Sequence, residues 1–372
     1  MIKNELELKQ KEYEELFYRI LETAIKAEAS DIHLTDKLVP AVRVDGVLRR
    51  LGGFPVNNPE SLAGFVKTML NENQIEILEE LKEYDASLAY AGVRFRIHIY
   101  KQNKSDAIVL RLIPTKIPGF EEMNLPNVLK EFTKVKSGLV LITGPTGSGK
   151  STTLAAIIDE INTNQAKNII TIEDPVEFIH QHKMSIVNQR EIGSDVLSFD
   201  RAVRAAMRED PDILLVGEMR DLDTIKNAIT MAETGHLVFG TLHTKSVPET
   251  VDRIIDVFPA NQQDQIRIQL SNSIEGIVCQ SLLPKIGGGR VPDLEIMIIN
   301  DAIKSIIREN QSASAIVDSI SLTPGAQTKI QSLAKLVASN KITLQTAEKQ
   351  IKESEHEALQ GTIVSYLGNS RR

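Results

Sequence analysis

The sequence predicts an α/β domain built on a parallel sheet, preceded by a small α+β domain and followed by C-terminal helices. Three observations carry this expectation. Between residues 139 and 242, short apolar runs alternate with segments of helical periodicity, the pattern of strands joined by helical crossovers. Upstream, one long amphipathic segment precedes several period-two runs, as in a small α+β domain with antiparallel strands. From Ala302 onward only helical periodicity remains.

A chain of 372 residues is too long for one simple core and predicts two domains. Its 42% apolar and 25% charged residues are those of an ordinary globular protein. Forty-three basic against fifty acidic residues leave a net charge of −7, which argues against nucleic acid as the main partner. Cys279 is the single cysteine, so a disulfide within the chain and a four-cysteine zinc site are both excluded. Its setting, Ile277-Val278-Cys279, predicts a small buried side chain. No apolar run approaches the length of a membrane span and the N-terminus is charged, which predicts a cytoplasmic protein that meets membranes through a partner.

In the first domain, Tyr13, Leu16, Phe17, Ile20, Ala24 and Ile25 recur at helical spacing within residues 4–29. Ile32-His33-Leu34 and Val42 to Leu48 read as strands, the latter folded into a hairpin at Asp45-Gly46. Helices are expected at 59–70 and 74–81, then strands at 87–91, 93–100 and 107–113. This domain is expected to span 1–113. Two prolines and a glycine in Pro114 to Gly119 stop both helix and sheet, so residues 114–125 read as a linker. The remainder, 126–372, offers strands at 139–143, 168–173, 213–217 and 236–242 with helices at 150–163, 198–208 and 221–233, the layout of a RecA-like core. Its C-terminal region from about 302 reads as helices at 302–309, 312–320, 326–339 and 343–354, with the last dozen residues poorly held.

The chemistry centres on Gly144-Pro145-Thr146-Gly147-Ser148-Gly149-Lys150-Ser151-Thr152, which fits the phosphate-loop (P-loop, Walker A) pattern. A strand, Leu139 to Ile142, leads in. A helix with apolar Leu154, Ile157, Ile158 and Ile161 leads out. Glycines let successive N–H groups turn toward phosphate oxygens, and the helix N-terminus adds partial positive charge. Lys150 is expected to reach the outer phosphates and the Ser151 hydroxyl to hold Mg²⁺, so ATP and Mg²⁺ are the expected ligands.

Hydrolysis also needs a carboxylate near water, support for Mg²⁺, and positive charge for the transition state. Ile213 to Val216 is an apolar run leading through Gly217 to Glu218, at the strand end where ligands bind in α/β sheets; Glu218 is expected to support Mg²⁺ through its water. Glu173, Asp174 and Glu177 follow another strand, and the residues alone do not choose among them. His236 and His243 bracket the strand Leu237 to Leu242; His243 suits a γ-phosphate sensor, while a hydrogen-bonded structural histidine is nearly as good a reading of His236. In Val93-Arg94-Phe95-Arg96-Ile97-His98-Ile99, period two puts Arg94 and Arg96 on one exposed face, and Arg111 points away from the apolar side of the next strand. These three arginines are either arginine fingers given across a subunit interface or an ordinary solvated face. Arg201, Arg204 and Arg208 form a further row, for a subunit contact or for pairing with nearby acids.

Taken together and in order, these motifs resemble the type II/IV secretion ATPase superfamily, and within it the PilT-like retraction ATPases of type IV pili. Ser30 to Leu34 resembles the family's N-terminal signature, and Arg94-Phe95-Arg96 its arginine-bearing strand. Residues 171–180 resemble its aspartate box, 208–221 its atypical Walker B region, and 234–244 its histidine box. The resemblance implies a PAS-like N-terminal domain joined to a RecA-like P-loop NTPase domain in a homohexameric ring. It implies Glu177 as catalytic carboxylate, Glu218 as the Walker B residue, and His236 and His243 as the histidine-box pair. Arg94, Arg96 and Arg111 become the arginine fingers. Implied partners are an inner-membrane pilus platform protein and, through it, pilin.

Assembly and type II secretion ATPases of the superfamily usually carry extra N-terminal domains and a four-cysteine zinc element, neither expected here. Leu282 to Lys285, Gly287 to Val291 and Ala302 to Glu309 resemble the retraction branch, with Lys304 and Ser305 where it typically has Arg and Asn. Lys329 stands where an aromatic is usual. The expected function is therefore an ATP-driven motor for pilus retraction and twitching motility, with pilus assembly or type II secretion as the sibling alternative. A nucleic-acid motor is disfavoured by the acidic balance and absence of Trp. A non-hydrolysing scaffold is disfavoured by the intact Lys150, Ser151, Glu177 and Glu218.

Overall fold

The structure is a computed structural model that describes residues 2–44, 46–113 and 116–369. The chain separates into two compact units, 1–116 and 117–372. Asp45 of the expected hairpin turn, and Pro114 and Thr115 of the expected linker, lie outside the described residues.

The first unit contains helix α1 (Ile2–Lys26), strands β1 (Asp31–Leu34), β2 (Ala41–Val44) and β3 (Val47–Arg50), and helices α2 (Pro59–Met69) and α3 (Glu72–Leu81). Strands β4 (Glu83–Tyr90), β5 (Val93–Gln102) and β6 (Ser105–Ile113) complete it. Its six-stranded sheet has the order β3-β2-β1-β6-β5-β4 and is antiparallel throughout. Val44 pairs with Val47 across a two-residue turn in which Gly46 sits at φ +77°, the conformation that selects glycine there. Phe95, Ile97 and Ile99 of β5 are fully buried against Phe17, Ile20 and Leu21 of α1 and Phe65 of α2. Each such side chain contributes about 1.5–3 kcal/mol by leaving water. Because the strand period is two, that burial forces Arg94, Arg96 and His98 onto the other face.

The second unit opens with α4 (Val128–Phe132) and strand β7 (Gly138–Thr143), followed by α5 (Lys150–Asn164) and strands β8 (Asn168–Glu173) and β9 (Ile186–Glu191). Then come α6 (Phe199–Ala206), β10 (Ile213–Val216), α7 (Leu222–Glu233), β11 (Leu237–Leu242), α8 (Val247–Asp256) and α9 (Ala260–Ser273). Strands β12 (Ile274–Pro284) and β13 (Arg290–Ile298) precede the terminal helices α10 (Asp301–Arg308), α11 (Ala313–Leu322), α12 (Lys329–Ala338), α13 (Leu344–Glu348) and α14 (His356–Asn369). The seven-stranded sheet runs β13-β12-β7-β11-β10-β8-β9, parallel except for β13. One apolar cluster covers each face of it, so β7, β10 and β11 are buried on both sides, as parallel strands must be.

Several expectations are corrected here. Phe120 and Leu125, expected in a linker, are buried in the second unit's core with Leu129 and Phe132, so their apolar character outweighs the nearby prolines. Strands β9, β12 and β13 and helices α8 and α9 were not anticipated. An edge strand such as β9 (Ile-Val-Asn-Gln-Arg-Glu) pairs through its backbone and needs no apolar alternation. Of the last dozen residues, expected to be poorly held, 361–369 continue α14, where Ile363 and Tyr366 pack partly buried against a cluster of Leu333, Ala334, Ile342 and Leu359; residues 370–372 lie outside the described residues. Lys329, the unusual residue near the start of α12, forms an ion pair with Asp293 of β13, whose side chain is fully buried. Among the described residues no helix is long and apolar enough to cross a membrane.

Candidate nucleotide site

The ends of β7, β8, β10 and β11 open into a cleft of about 410 Å³. Thr146, Gly147, Ser148, Gly149, Lys150, Ser151 and Thr152 line it, with Glu173, Asp174, Glu177, Glu218 and His243 across from them. Gly144 and Pro145 form the base of the loop. Gly144, Gly147 and Gly149 have φ of +143°, +77° and +86°. A Cβ at Gly144 would lie 2.1 Å from the Gln280 carbonyl oxygen, so only glycine fits there. Gly149 stands at the N-cap of α5 and has no side chain to satisfy the first helical N–H groups, which leaves them for an anion.

Lys150 folds back over the loop. Its Nζ donates to the Gly144 carbonyl at 2.7 Å and the Pro145 carbonyl at 3.1 Å, and the residue is 9% exposed. Burial pushes its pKa below the ordinary lysine value, against the opposing pull of Glu218 and Glu177. Both carboxylates therefore act electrostatically on the same ammonium. Buried threonines tie the floor together: Thr250 of α8 meets Thr143, at the end of β7, at 3.4 Å, and Thr244, just past β11, at 2.6 Å.

The three acids after β8 differ in environment. Glu173 accepts from Thr171 Oγ1 at 2.6 Å and Gln189 Nε2 at 3.2 Å, and burial raises its pKa. It is committed to the fold. Asp174 and Glu177 are exposed on the cleft wall, so geometry narrows the choice to these two. His243 Nε2 lies 3.0 Å from Glu218 Oε1, and Arg220 Nε donates to the same oxygen. His180, not anticipated, also lines the cleft; it is buried, and desolvation lowers its pKa to about 4.

The structure does not bring His236 to this cleft. It precedes β11, whose six residues put it roughly 20 Å from His243 at the usual strand rise. Its Nδ1 donates to the Met231 carbonyl at 3.1 Å, a structural role. The arginines of the first unit lie on the solvent face of β5 and β6, where Arg96 and Arg111 are direct cross-strand neighbours. Arg111 Nε donates to Asp31 at 2.9 Å. Burial opposes ionisation of Asp31, but Ser30 and Arg111 outweigh it and hold its carboxyl below the usual range. Of the basic row, Arg201 and Arg204 lie exposed on α6, and Arg204 is 3.7 Å from Asp200; Arg208 lies beyond the helix end.

Besides His180, sequence reasoning missed Gln280 on β12. Its Oε1 accepts from Thr153 Oγ1 at 2.8 Å and its Nε2 donates to the Ser148 carbonyl at 2.8 Å. Leu282 and Arg290, from the unanticipated β12 and β13, close the cleft near Thr152.

Comparison with known proteins places this geometry. The profile of the family described as "Type II/IV secretion system protein" matches residues 7–365. The chain belongs to that family. It is 47% identical over 341 residues to the type IV pilus retractation ATPase PilT of Pseudomonas aeruginosa, covering 91% of this chain and 98% of that protein. It is 44% identical over 321 residues to a twitching motility protein of Neisseria gonorrhoeae, covering 85% of each. A crystal structure of the pilus retraction motor PilT with bound ADP superposes with a TM-score of 0.86 at 49% identity, covering 91% of this chain and 98% of that one. The α/β ATPase fold of the family is therefore the fold of this chain.

Proposed function

We infer that this chain is an ATP-hydrolysing motor that powers retraction of type IV pili. The observation that carries the reading is the nearly end-to-end similarity to a pilus retraction ATPase, joined to a cleft that holds phosphate loop, lysine and carboxylates together.

In this reading the loop N–H groups and the N-terminus of α5 take the phosphates. Lys150 moves from the Gly144 and Pro145 carbonyls to the outer phosphate oxygens, exchanging neutral acceptors for charged ones. Ser151 and Glu218 fit Mg²⁺: the hydroxyl and the carboxylate face the same cleft, and Glu218 is kept in place by His243. Bound there, Mg²⁺ would offset charge on the phosphates. Glu177 orients and deprotonates the attacking water, and His243 senses the γ-phosphate through Glu218. Glu177 is preferred to Asp174 because its charge already acts on Lys150.

We assign the first unit a PAS-like fold and the second a RecA-like fold, with ATP between neighbouring subunits of a homohexamer. Arg94, Arg96 and Arg111 from one subunit neutralise charge at the next subunit's nucleotide. Hydrolysis then turns the units about the short segment that joins them, near residue 116 and before the buried Phe120. The ring works at the cytoplasmic face of the inner membrane on a platform protein and, through it, on pilin. Family membership does not itself give the direction of force, so the deciding experiment is genetic. A strain carrying Lys150→Ala should keep surface pili and lose twitching; loss of the pili would show an assembly motor instead.

A further inference from the structure

We propose that Gln280 is a positioning residue that holds the phosphate loop from behind in its phosphate-accepting conformation, so that nucleotide affinity depends on it. The proposal rests on the ATPase reading above and adds a residue outside the loop, the acids and the arginines.

A loop whose N–H groups converge on one point crowds like dipoles together. Without a ligand, that arrangement is unfavourable unless something outside the loop maintains it. Gln280 does so at three points. Its Nε2 donates to the Ser148 carbonyl at 2.8 Å, which keeps that peptide's N–H side turned toward the cleft. Its Oε1 accepts from Thr153 Oγ1 at 2.8 Å, in the first turn of α5. Its own carbonyl oxygen packs where a Cβ at Gly144 would stand, 2.1 Å away, so β12 and the start of the loop are in closest approach. The brace thus spans the loop from its first glycine to the helix that follows it.

The register explains why this position does it. β12 runs parallel to β7, with Val278 beside Ile142 and Cys279 beside Thr143, so residue 280 is the next position along, where β7 gives way to the loop. The residue is 3% exposed, so water does not replace either hydrogen bond. An amide is required. Glutamate at this position would turn the bond to the Ser148 carbonyl into a repulsion and set a negative charge behind the phosphates.

A loop that leaves its binding-competent state binds more weakly by the fraction of molecules that remain competent. Losing two buried hydrogen bonds of ordinary strength reduces that fraction to about one tenth. The test uses the full chain as wild type, Gln280→Met and Thr153→Val. Three quantities are measured: the ADP dissociation constant by titration calorimetry, kcat at saturating ATP, and the nucleotide-free thermal midpoint. The expected result is ADP affinity about tenfold weaker for Gln280→Met and about threefold weaker for Thr153→Val, with kcat within about threefold of wild type.

A wild-type protein that binds no ADP would overturn the ATPase reading itself. Wild-type binding with an unchanged dissociation constant in Gln280→Met overturns the proposal, and so does a lowered thermal midpoint at unchanged affinity, which would make Gln280 merely structural. If Gln280→Met does not fold, Thr153→Val decides: unchanged affinity there overturns the proposal.

Discussion

Replacing Lys150 by methionine should separate nucleotide binding from folding. In the nucleotide-free protein Lys150 is 9% exposed, and its ammonium is hydrogen-bonded to the neutral carbonyls of Gly144 and Pro145, with Glu218 and Glu177 attracting it without a hydrogen bond. Burial lowers its pKa, so the folded state carries the charge under strain. Methionine keeps the length of the apolar stem and removes that strain, at the loss of two hydrogen bonds. The terms oppose one another, and the nucleotide-free stability should change by no more than about 1 kcal/mol, a few degrees in Tm at most. Binding has no such compensation. A hydrogen bond from a charged group is worth about 1.5–3 kcal/mol, so losing the contact to the outer phosphates should weaken ADP about 10- to 150-fold. The assay is ADP titration by calorimetry beside thermal melting in chelator without nucleotide. ADP binding within threefold of wild type would refute the role given to Lys150. A Tm drop of ten degrees without ligand would show instead that the lysine is chiefly structural.

Other predictions follow from the same geometry. Arg96 and Arg111 are like charges directly opposite on neighbouring strands, an arrangement that disfavours folding. Arg96→Ala should therefore leave the first unit's thermal stability equal or higher while lowering ATP hydrolysis by the assembled ring about 10³-fold or more; full-rate hydrolysis would remove the arginine-finger role. His180 is buried with a pKa lowered to about 4, so the unfolded chain binds the extra proton first as pH falls. Stability should fall with pH through the window from about 6.5 toward 4, by about 2 kcal/mol between pH 7 and 5, and His180→Phe should flatten that slope in urea titrations at the two pH values. Lys329→Met leaves the fully buried Asp293 carboxylate without its cation, though still bonded by the Ser281 hydroxyl at 3.0 Å, and should cost about 3 kcal/mol, most of it recovered by adding Asp293→Ala; a Lys329→Met urea midpoint equal to wild type would show that the pair contributes nothing.

The parts of the site that were legible in the sequence are those where local chemistry and position coincide. The phosphate loop announces itself because the glycines, the lysine and the flanking strand and helix are contiguous. Glu218 was legible because an apolar strand ends beside it at the ligand edge of the sheet. The arginines were placed on the exposed face by period two alone. His180 was hidden because nothing in residues 178–182 tells a buried cleft histidine from one on a surface turn. Lys329 was visible as an oddity, but its partner Asp293 lies on β13, a strand distant in sequence, and gave no signal.

By itself the sequence determined the two-part organisation, most strands of the parallel sheet and the nucleotide loop, since all of these follow from short-range periodicity and spacing. It could not order Glu173, Asp174 and Glu177, because which carboxylate is consumed by neighbours depends on Thr171 and on Gln189 from an edge strand. The two histidines at opposite ends of β11 were already read differently, but only the packed structure commits His236, through its bond to the Met231 carbonyl, to a structural role. Gln280 shows the same limit most clearly. Its value comes from the register of β12 against β7, a pairing across more than a hundred residues that only the packed sheet establishes.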